Sequence, residues 1–307
     1  MDIFSNQHMR KTMKNIKLGL LAITLTAFVS TASMADDVDS SFVLKRIQDR
    51  GVINMGHREG SVPFSFIGKD GKPQGYSVDI CHKIIESVKK VTGKSDLKIK
   101  YIPVTSQTRI ALMANGTIDI ECGSTTHNLT REKQVDYLAT TFITGTKIAT
   151  KKDSGIKEIE DMEGKVMALS LGTTNEKAIK RVAKDKGINI KYVMVKDHPQ
   201  GWLTVSTGRA DAYATDDVLL YGLISKSKKP DDYQVTGRFL SFDPYGIMVP
   251  HDDSTYRRLG NVVLADMMRS GEMQKIYDSW FNPGPTNINM PISSTLKTAF
   301  EIQALPH

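Results

Sequence analysis

The chain has 307 residues and an ordinary apolar content of 40%, enough for a real core and for about two domains. Its formal net charge of +7 is unevenly placed: residues 1–35 carry Arg10, Lys11, Lys14 and Lys17 against Asp2 alone, a net +3, which leaves +4 for the rest. No Lys/Arg block interleaved with aromatics occurs, which argues against a nucleic-acid partner.

Lys14 and Lys17 precede the apolar run Leu18 to Val29, and Ser33-Met34-Ala35 follows it. A basic start, a short apolar stretch and small residues at the cleavage positions predict a secretory signal over residues 1–35. The run is too short for a comfortable membrane span, and an uncleaved anchor is the lesser alternative. Met13 fits as an alternative start, and no Cys lies at the cleavage point to take a lipid. The mature chain is expected to begin near Asp36, beyond the cytoplasmic membrane. In that oxidising compartment the two cysteines, Cys81 and Cys122, read as a disulfide, with two buried free thiols as the alternative. Neither has His or Cys at ligand spacing, so no metal site is expected.

Residues 40 to 50 read as a helix ended by Gly51, and 52–56 as a strand that delivers His57-Arg58-Glu59 into a loop. Pro63, Gly68, Gly71 and Pro73 mark turns. Residues 79–91 form an amphipathic pattern with Ile80, Ile84, Ile85, Val88 and Val91 on one side. A strand at 97–104 follows, then a helix that Ser106 is expected to cap, with Arg109 in its first turn and Asn115-Gly116 at its end. The alternation of Ile118 and Ile120 gives a strand ended by Gly123. Ser124-Thr125-Thr126 and Arg131 come next. Hydroxyls, free N–H groups and a guanidinium past a strand end make a carboxylate receptor; the plainer reading is a polar loop capping a helix at Thr130.

Beyond Phe142–Thr146 the pattern repeats. Strands are expected at 166–171, 190–195 and 210–215. Helices are expected from Gly172 to about Lys186, from Asp197-His198-Pro199 to Gly208, and from Asp216-Asp217 onward. Two strand–helix–strand–helix–strand units imply an α/β fold of parallel βαβ units in two lobes around a cleft. The chain crosses back near Ser241–Tyr245. A strand at 245–250 and helices at 254–269 and 272–281 follow, then a proline-broken tail expected to drape or lie partly loose. The expected boundaries are 36–143 plus 245–290 for lobe 1, 144–244 for lobe 2 and 291–307 for the tail.

Arg58, Ser124 to Thr126, Thr173-Thr174, His198 and Asp216 all fall just past a strand or at a helix start, where open α/β sheets bind ligands. Arg109 and Arg131 enter from the lobe of Arg58. Taken singly, each has a plainer reading: a solvated arginine, a helix cap at Thr173 or Asp216, a loop histidine. Their joint placement favours a site.

Gly56-His57-Arg58-Glu59, Thr105-Ser106-Gln107-Thr108-Arg109, Glu121-Cys122-Gly123-Ser124-Thr125-Thr126, Lys196-Asp197-His198 and Lys229-Pro230-Asp231 carry a resemblance, and the pattern Gly271-Glu272 to Trp280-Phe281 extends it. Over residues 42 to 290 the chain resembles the periplasmic amino-acid-binding proteins of ABC importers, solute-binding protein family 3. It is most similar to the glutamate/aspartate-binding branch. The resemblance implies a type II fold: two α/β lobes on a two-stranded hinge, a monomer without cofactor that closes on one amino acid and docks on an ABC permease in the inner membrane. It further implies that Arg131, with Thr126 and the helix start at Thr173, takes the α-carboxylate. Asp216, with Ser124, takes the ammonium. Arg58, Ser106, Arg109 and His198 form the side-chain carboxylate pocket. Two departures stand out: Cys81 is not universal in that branch, and Gly60 replaces a bulkier small polar residue.

The charges agree with that resemblance. Three arginines and one aspartate give the site +2, which an amino acid with two carboxylates and one ammonium would settle; a neutral amide would leave Arg58 or Arg109 partly unpaired. The main rival is a secreted enzyme on the same fold, a dehydratase acting on a cyclic carboxylic acid, with His198 or Glu59 as its acid or base. No nucleophile elbow, metal cluster or phosphate loop stands out. A sensor domain would need a membrane or signalling segment.

Overall fold

The computed structural model describes residues 37–306, so the signal sequence and cleavage point expected at residues 1–35 lie outside the described residues. The chain begins with α1 (Phe42–Arg50), β1 (Val52–His57), the short β2 (Gly60–Ser61), β3 (Ser65–Ile67) and β4 (Pro73–Gln74), and α2 (Tyr76–Thr92). Then come β5 (Lys98–Pro103), α3 (Arg109–Ala114), β6 (Ile120–Cys122) and the long β7 (Val135–Thr144). The second unit runs β8 (Thr146–Lys151), β9 (Val166–Ser170), α4 (Thr174–Lys186), β10 (Lys191–Val195), α5 (His198–Ser206), β11 (Ala212–Asp216), α6 (Asp217–Ser225) and β12 (Tyr233–Thr236). The chain returns through β13 (Asp243–Pro250), α7 (Ser254–Arg269), α8 (Glu272–Phe281) and α9 (Ser294–Gln303).

Two five-stranded sheets result, in the orders β5-β1-β6-β13-β7 and β10-β9-β11-β8-β12. In each, the first strand of a βαβ pair lies between two parallel neighbours: β1 between β5 and β6, β9 between β10 and β11. In each, the fourth strand is antiparallel and comes from a crossing of the chain: β13 beside β6, β8 beside β11. The sheets therefore repeat one arrangement, and the turns past β1, β5, β6, β9, β10 and β11 carry the candidate residues.

The two crossings run side by side. Thr144 pairs with Asp243 at the end of one sheet, and a single residue, Gly145, separates β7 from β8. A Cβ on Gly145 would lie 2.2 Å from the Ser241 carbonyl oxygen, so the approach requires glycine. The Thr146 N–H donates to Ser241 Oγ at 3.0 Å, and the Leu240 N–H donates to the Thr146 carbonyl at 2.9 Å.

Ile80, Ile84, Ile85 and Val88 of α2 are buried as their spacing predicts, and Val91 packs half-buried at the margin. The first core gathers Ile53, Met55, Ile120 and Phe281; the second gathers Ile148, Met167, Leu169 and Ile179. Val218 and Leu219 of α6 belong to the first core, beside Val62, Phe64 and Tyr245, so apolar packing also joins the two units.

Two expectations are corrected. Ser106 does not cap α3: Thr108 is the flanking residue and makes no side-chain cap bond, while Ser106 is buried with its hydroxyl turned to other work. The tail is not loose. Ser293 caps α9, Leu296 and Phe300 are buried, and the Gln303 amide takes the Thr140 N–H at 2.7 Å and donates to its carbonyl at 3.0 Å. Because β7 is an edge strand, that amide satisfies backbone groups which would otherwise be open. The prolines break the chain before α9 without preventing it.

Cys81 in α2 and Cys122 at the end of β6 form the expected disulfide, with a Cα–Cα separation of 6.1 Å across 41 residues of sequence. Closing a loop of that length stabilises the fold by about 4 kcal/mol in the chain-entropy model. Reduction, or the double Cys81→Ser/Cys122→Ser variant, should lower the urea-unfolding free energy by roughly 2–4 kcal/mol. An unchanged midpoint would show the bridge to be energetically idle.

Candidate functional site

Arg58 leaves the end of β1 and is fully buried. Its Nη2 donates to Ser106 Oγ at 2.8 Å and also pairs with the Asp197 carboxylate at the start of α5. Its backbone N–H is held by Ser65 Oγ at 2.9 Å. Arg58 Nε and Nη1 are buried without a hydrogen-bond partner among the described residues.

Arg109, the first residue of α3, is 3% exposed. Its Nη1 donates to the Ser124 carbonyl at 2.9 Å and to Thr125 Oγ1 at 2.6 Å; the Thr125 hydroxyl in turn donates to Glu121 Oε2 at 2.7 Å. Burial, and then the nearby Arg131 and Arg58, lower the Arg109 pKa to about 10. Arg109 Nε and Ser124 Oγ are also buried without a partner among the described residues. Arg131 reaches between the units: Nη1 donates to the Thr126 carbonyl at 2.6 Å, and Nη2 to the Gly172 carbonyl at 3.1 Å. Thr126 Oγ1 meets Thr174 Oγ1 across the same gap at 3.2 Å.

Asp216 ends β11 and flanks α6, yet its side chain makes no cap bond. Its carboxylate instead accepts from Asn175 Nδ2 at 2.8 Å and from the Tyr245 hydroxyl of the other sheet. Burial, and then the neighbouring Asp243, raise its pKa to about 7. His198 opens α5 with Nδ1 2.7 Å from the Tyr213 hydroxyl, and Nε2 4.0 Å from Asp197. Burial lowers its pKa to about 3, outweighing the attraction of Asp197, and Arg58 and Arg109 push the same way. The imidazole is therefore neutral at neutral pH. Thr173 is the cap that its sequence allowed: its hydroxyl accepts the Glu176 N–H at 3.1 Å and donates to the Ser170 carbonyl at 2.8 Å. What it can offer a ligand is backbone N–H at the start of α4.

All nine candidate residues, Arg58, Ser106, Arg109, Ser124, Thr126, Arg131, Thr173, His198 and Asp216, are buried around this one cleft. The sequence reading missed Asp197 and Glu121 as charges of the site, and with them Asn175, Tyr213 and Tyr245. Asp197 stands beside His198 at the helix start. Glu121 alternates with apolar Ile120 on a strand, where an acid normally faces water. Its complete burial reverses that expectation. The surplus of two positive charges is corrected accordingly: Asp197, Glu121 and Asp216 set three carboxyl groups against three guanidiniums. Among the described residues of the site, what remains unmatched is three guanidinium nitrogens, Arg58 Nε and Nη1 and Arg109 Nε, together with Ser124 Oγ and one acceptor, Glu121 Oε1. Among the described residues no cluster of His, Cys, Asp or Glu could hold a metal ion, and no helix is long and apolar enough to cross a membrane.

Residues 53–283 match the family profile of bacterial extracellular solute-binding proteins, family 3. The chain belongs to that family. Among relatives of this family-3 protein, the L-glutamate/L-aspartate-binding protein of Pseudomonas aeruginosa (strain PAO1) is 43% identical over 278 residues, 89% of this chain and 91% of the relative. The glutamate/aspartate import solute-binding protein of Escherichia coli (strain K12) is 40% identical over 286 residues, 92% and 94% of the two chains. Among solved structures, an ancestral arginine-binding protein bound to arginine superposes with a TM-score of 0.67 at 30% identity, covering 76% of this chain and 99% of that one. The ancestral amino acid-binding protein AncCDT-1, a precursor of cyclohexadienyl dehydratase, does so with a TM-score of 0.66 at 27% identity, covering 78% and 99%. The bilobed type II fold expected from the sequence is the fold observed.

The raised Asp216 pKa predicts a pH dependence. Between the usual carboxylate range and about 7 the unfolded chain has released this proton while the folded chain retains it. The contribution is therefore neutral at low pH, turns unfavourable as pH climbs to about 7, and stays constant above. Asp216→Asn should raise the ligand-free melting temperature at pH 8 by about 2–4 °C or more, and leave it nearly unchanged at pH 4. Equal shifts at both pH values would show that the carboxylate is not strained.

Proposed function

We propose that the protein is the periplasmic substrate-binding component of an ABC transporter, holding L-glutamate or L-aspartate between its lobes and delivering it to an inner-membrane permease. The observation that carries this reading is the set of buried, unpartnered donors on Arg58 and Arg109, beside Arg131 and opposite Asp216. The names of relatives at 40–43% identity point the same way. In this reading Arg131, Thr126 and the start of α4 take the α-carboxylate, and Asp216, with Ser124, takes the ammonium. Arg58, Ser106, Arg109 and His198 take the side-chain carboxylate. With Nδ1 accepting from Tyr213, neutral His198 presents an Nε2–H donor without adding charge. The proposed lobes are residues 36–143 plus 245–290 and 144–244, with 1–35 as a cleaved signal and the chain acting as a monomer.

We read the protein as a binder and not an enzyme. Of the two acid–base candidates, His198 is held neutral with its pKa near 3, and Glu59 lies exposed outside the buried set. Neither of these two is tuned and placed as a general acid or base against a substrate.

Calorimetric titration with Glu, Asp, Gln and Asn tests the ligand class. Glu and Asp should bind and compact the protein in solution scattering, with Gln far weaker. Tight binding of an uncharged amino acid by the wild-type protein would reject the dicarboxylate reading.

Arg109→Met should weaken Glu and Asp by about 30-fold or more, the effect of truncating one side of a buried charge pair. It also strands Glu121, a cost common to every ligand, so the ratio of losses is decisive. Equal losses for Glu and Gln would place Arg109 elsewhere. Asp216→Ala should abolish binding of all four while circular dichroism stays native; retained affinity would remove Asp216 from the ammonium site.

A further inference from the structure

The sequence from Asp197 to Pro199 contacts the opposite lobe twice, through a charge and through a shape. The Asp197 carboxylate pairs with Arg58 Nη2 and accepts from Ser106 Oγ at 3.2 Å. Two residues on, Pro199 lies over Gly60: a Cβ built on Gly60 would sit 2.2 Å from Pro199 Cγ, 3.0 Å from its Cδ and 3.5 Å from its Cβ. No real Cβ tolerates the first of these distances, so the bare backbone of Gly60 is what lets the proline ring seat. Here lies the physical counterpart of the departure noted at Gly60. A similar approach occurs one helix over, where a Cβ on Gly222 of α6 would lie 2.3 Å from the Val62 carbonyl oxygen. The segment 60–62 of lobe 1 thus rests on two helices of lobe 2.

We propose that Asp197 and Pro199 form a clasp between the lobes, Asp197 latching Arg58 and Ser106 by charge while Pro199 seats on Gly60, and that this clasp sets how long the closed protein retains its ligand. The inference rests on the amino-acid-binding reading above, because it assigns a rate to the release of that ligand. Asp197 uses one edge of the Arg58 guanidinium and leaves Nε and Nη1 free, so latch and ligand do not compete for the same N–H groups. They share the guanidinium, and each fixes its position for the other. Both contacts link elements from different lobes, so they exist only when the lobes meet. Encounter with ligand precedes that meeting and release follows its loss. The clasp therefore acts on the dissociation rate and not on association.

Stopped-flow rates with L-glutamate and L-aspartate test this on the mature protein. Asp197→Asn should release ligand at least about tenfold faster, with the association rate within about threefold of wild type. Gly60→Ala should also speed release and leave the glutamate-saturated protein less compact in solution scattering. Combining it with Pro199→Ala, which removes Cγ and Cδ, should return the rate to within about threefold of Pro199→Ala alone. The ligand-free melting temperatures should stay within about 2 °C of wild type, because a merely structural role would lower them. Wild-type or slower release from Asp197→Asn would overturn the latch. Failure of Pro199→Ala to rescue Gly60→Ala would overturn the seat. A wild-type protein that binds neither amino acid would instead remove the ligand assignment on which the clasp rests.

Discussion

Burying Arg58, Arg109 and Arg131 together costs free energy twice, once in lost hydration and once in mutual repulsion. Arg109 shows both effects, its pKa drawn down by burial first and then by the other two guanidiniums. Such a cluster persists only if its donors are answered, and the surroundings of the cleft can be read as answers. The Ser124, Thr126 and Gly172 carbonyls each take one N–H. Glu121 reaches Arg109 through the Thr125 hydroxyl, and Asp197 reaches Arg58 directly. Desolvated charge pairs are strong when their geometry is complete and expensive when it is not. Among the described residues it is incomplete at Arg58 Nε and Nη1 and at Arg109 Nε, and in the proposed reading a carboxylate completes it.

The answers come from both lobes. Arg131 donates within its own loop and to Gly172 across the gap; Arg58 donates to Ser106 of a neighbouring loop in its own lobe and pairs with Asp197 across the gap. Tyr245 of the first sheet reaches Asp216 of the second. Separating the lobes would undo several of these pairs together and rehydrate the charges. In the proposed reading recognition and closure are therefore one event: a ligand that completes the donor set stabilises the arrangement that assembled it, and only that differential interaction can shift the equilibrium. The paired crossings at Gly145 and Ser241 provide the place where the backbone can turn while both sheets stay intact.

Much of this was legible in the chain. The repeated strand–helix pattern, the glycine- and hydroxyl-rich turns and the two cysteines follow from periodicity, cap chemistry and compartment. They pointed to eight of the nine buried residues; Ser106, which its local sequence makes a helix cap, entered the site only through the family resemblance. What escaped was whatever depends on partners distant in sequence. Glu121 looked solvent-facing because alternation on a strand names two faces without saying that both are covered. Asp197 looked like a helix-start residue because nothing near it in sequence announces Arg58, 139 positions away. The charge balance failed for that reason: it counted the cations, whose type is conspicuous, and missed the acids that make them tolerable. The docked α9 escaped because its anchor, the Gln303 amide on the open edge of β7, lies 163 positions from Thr140.

Asp216 is where the binding and catalytic readings part most sharply. A buried carboxyl with a pKa near 7 is, on its own, the kind of group general acid–base chemistry uses. Its value is a property of the site without a cation, set by burial and by Asp243 against the stabilising bonds of Tyr245 and Asn175. A substrate that brought only a carboxylate would leave those terms in place, and Asp216 would remain a proton donor or acceptor near neutrality. An amino acid brings an ammonium, and an opposite charge at contact distance favours the ionised carboxylate. The group then falls out of the useful range and becomes an ion-pair partner. Its proton is released as the ligand enters, so binding becomes weaker as pH falls below about 7. The same residue thus makes a base for one class of ligand and an anchor for another. The three guanidiniums around it, already partly matched by Asp197 and Glu121, favour the ligand that supplies both further carboxylates and the cation Asp216 lacks.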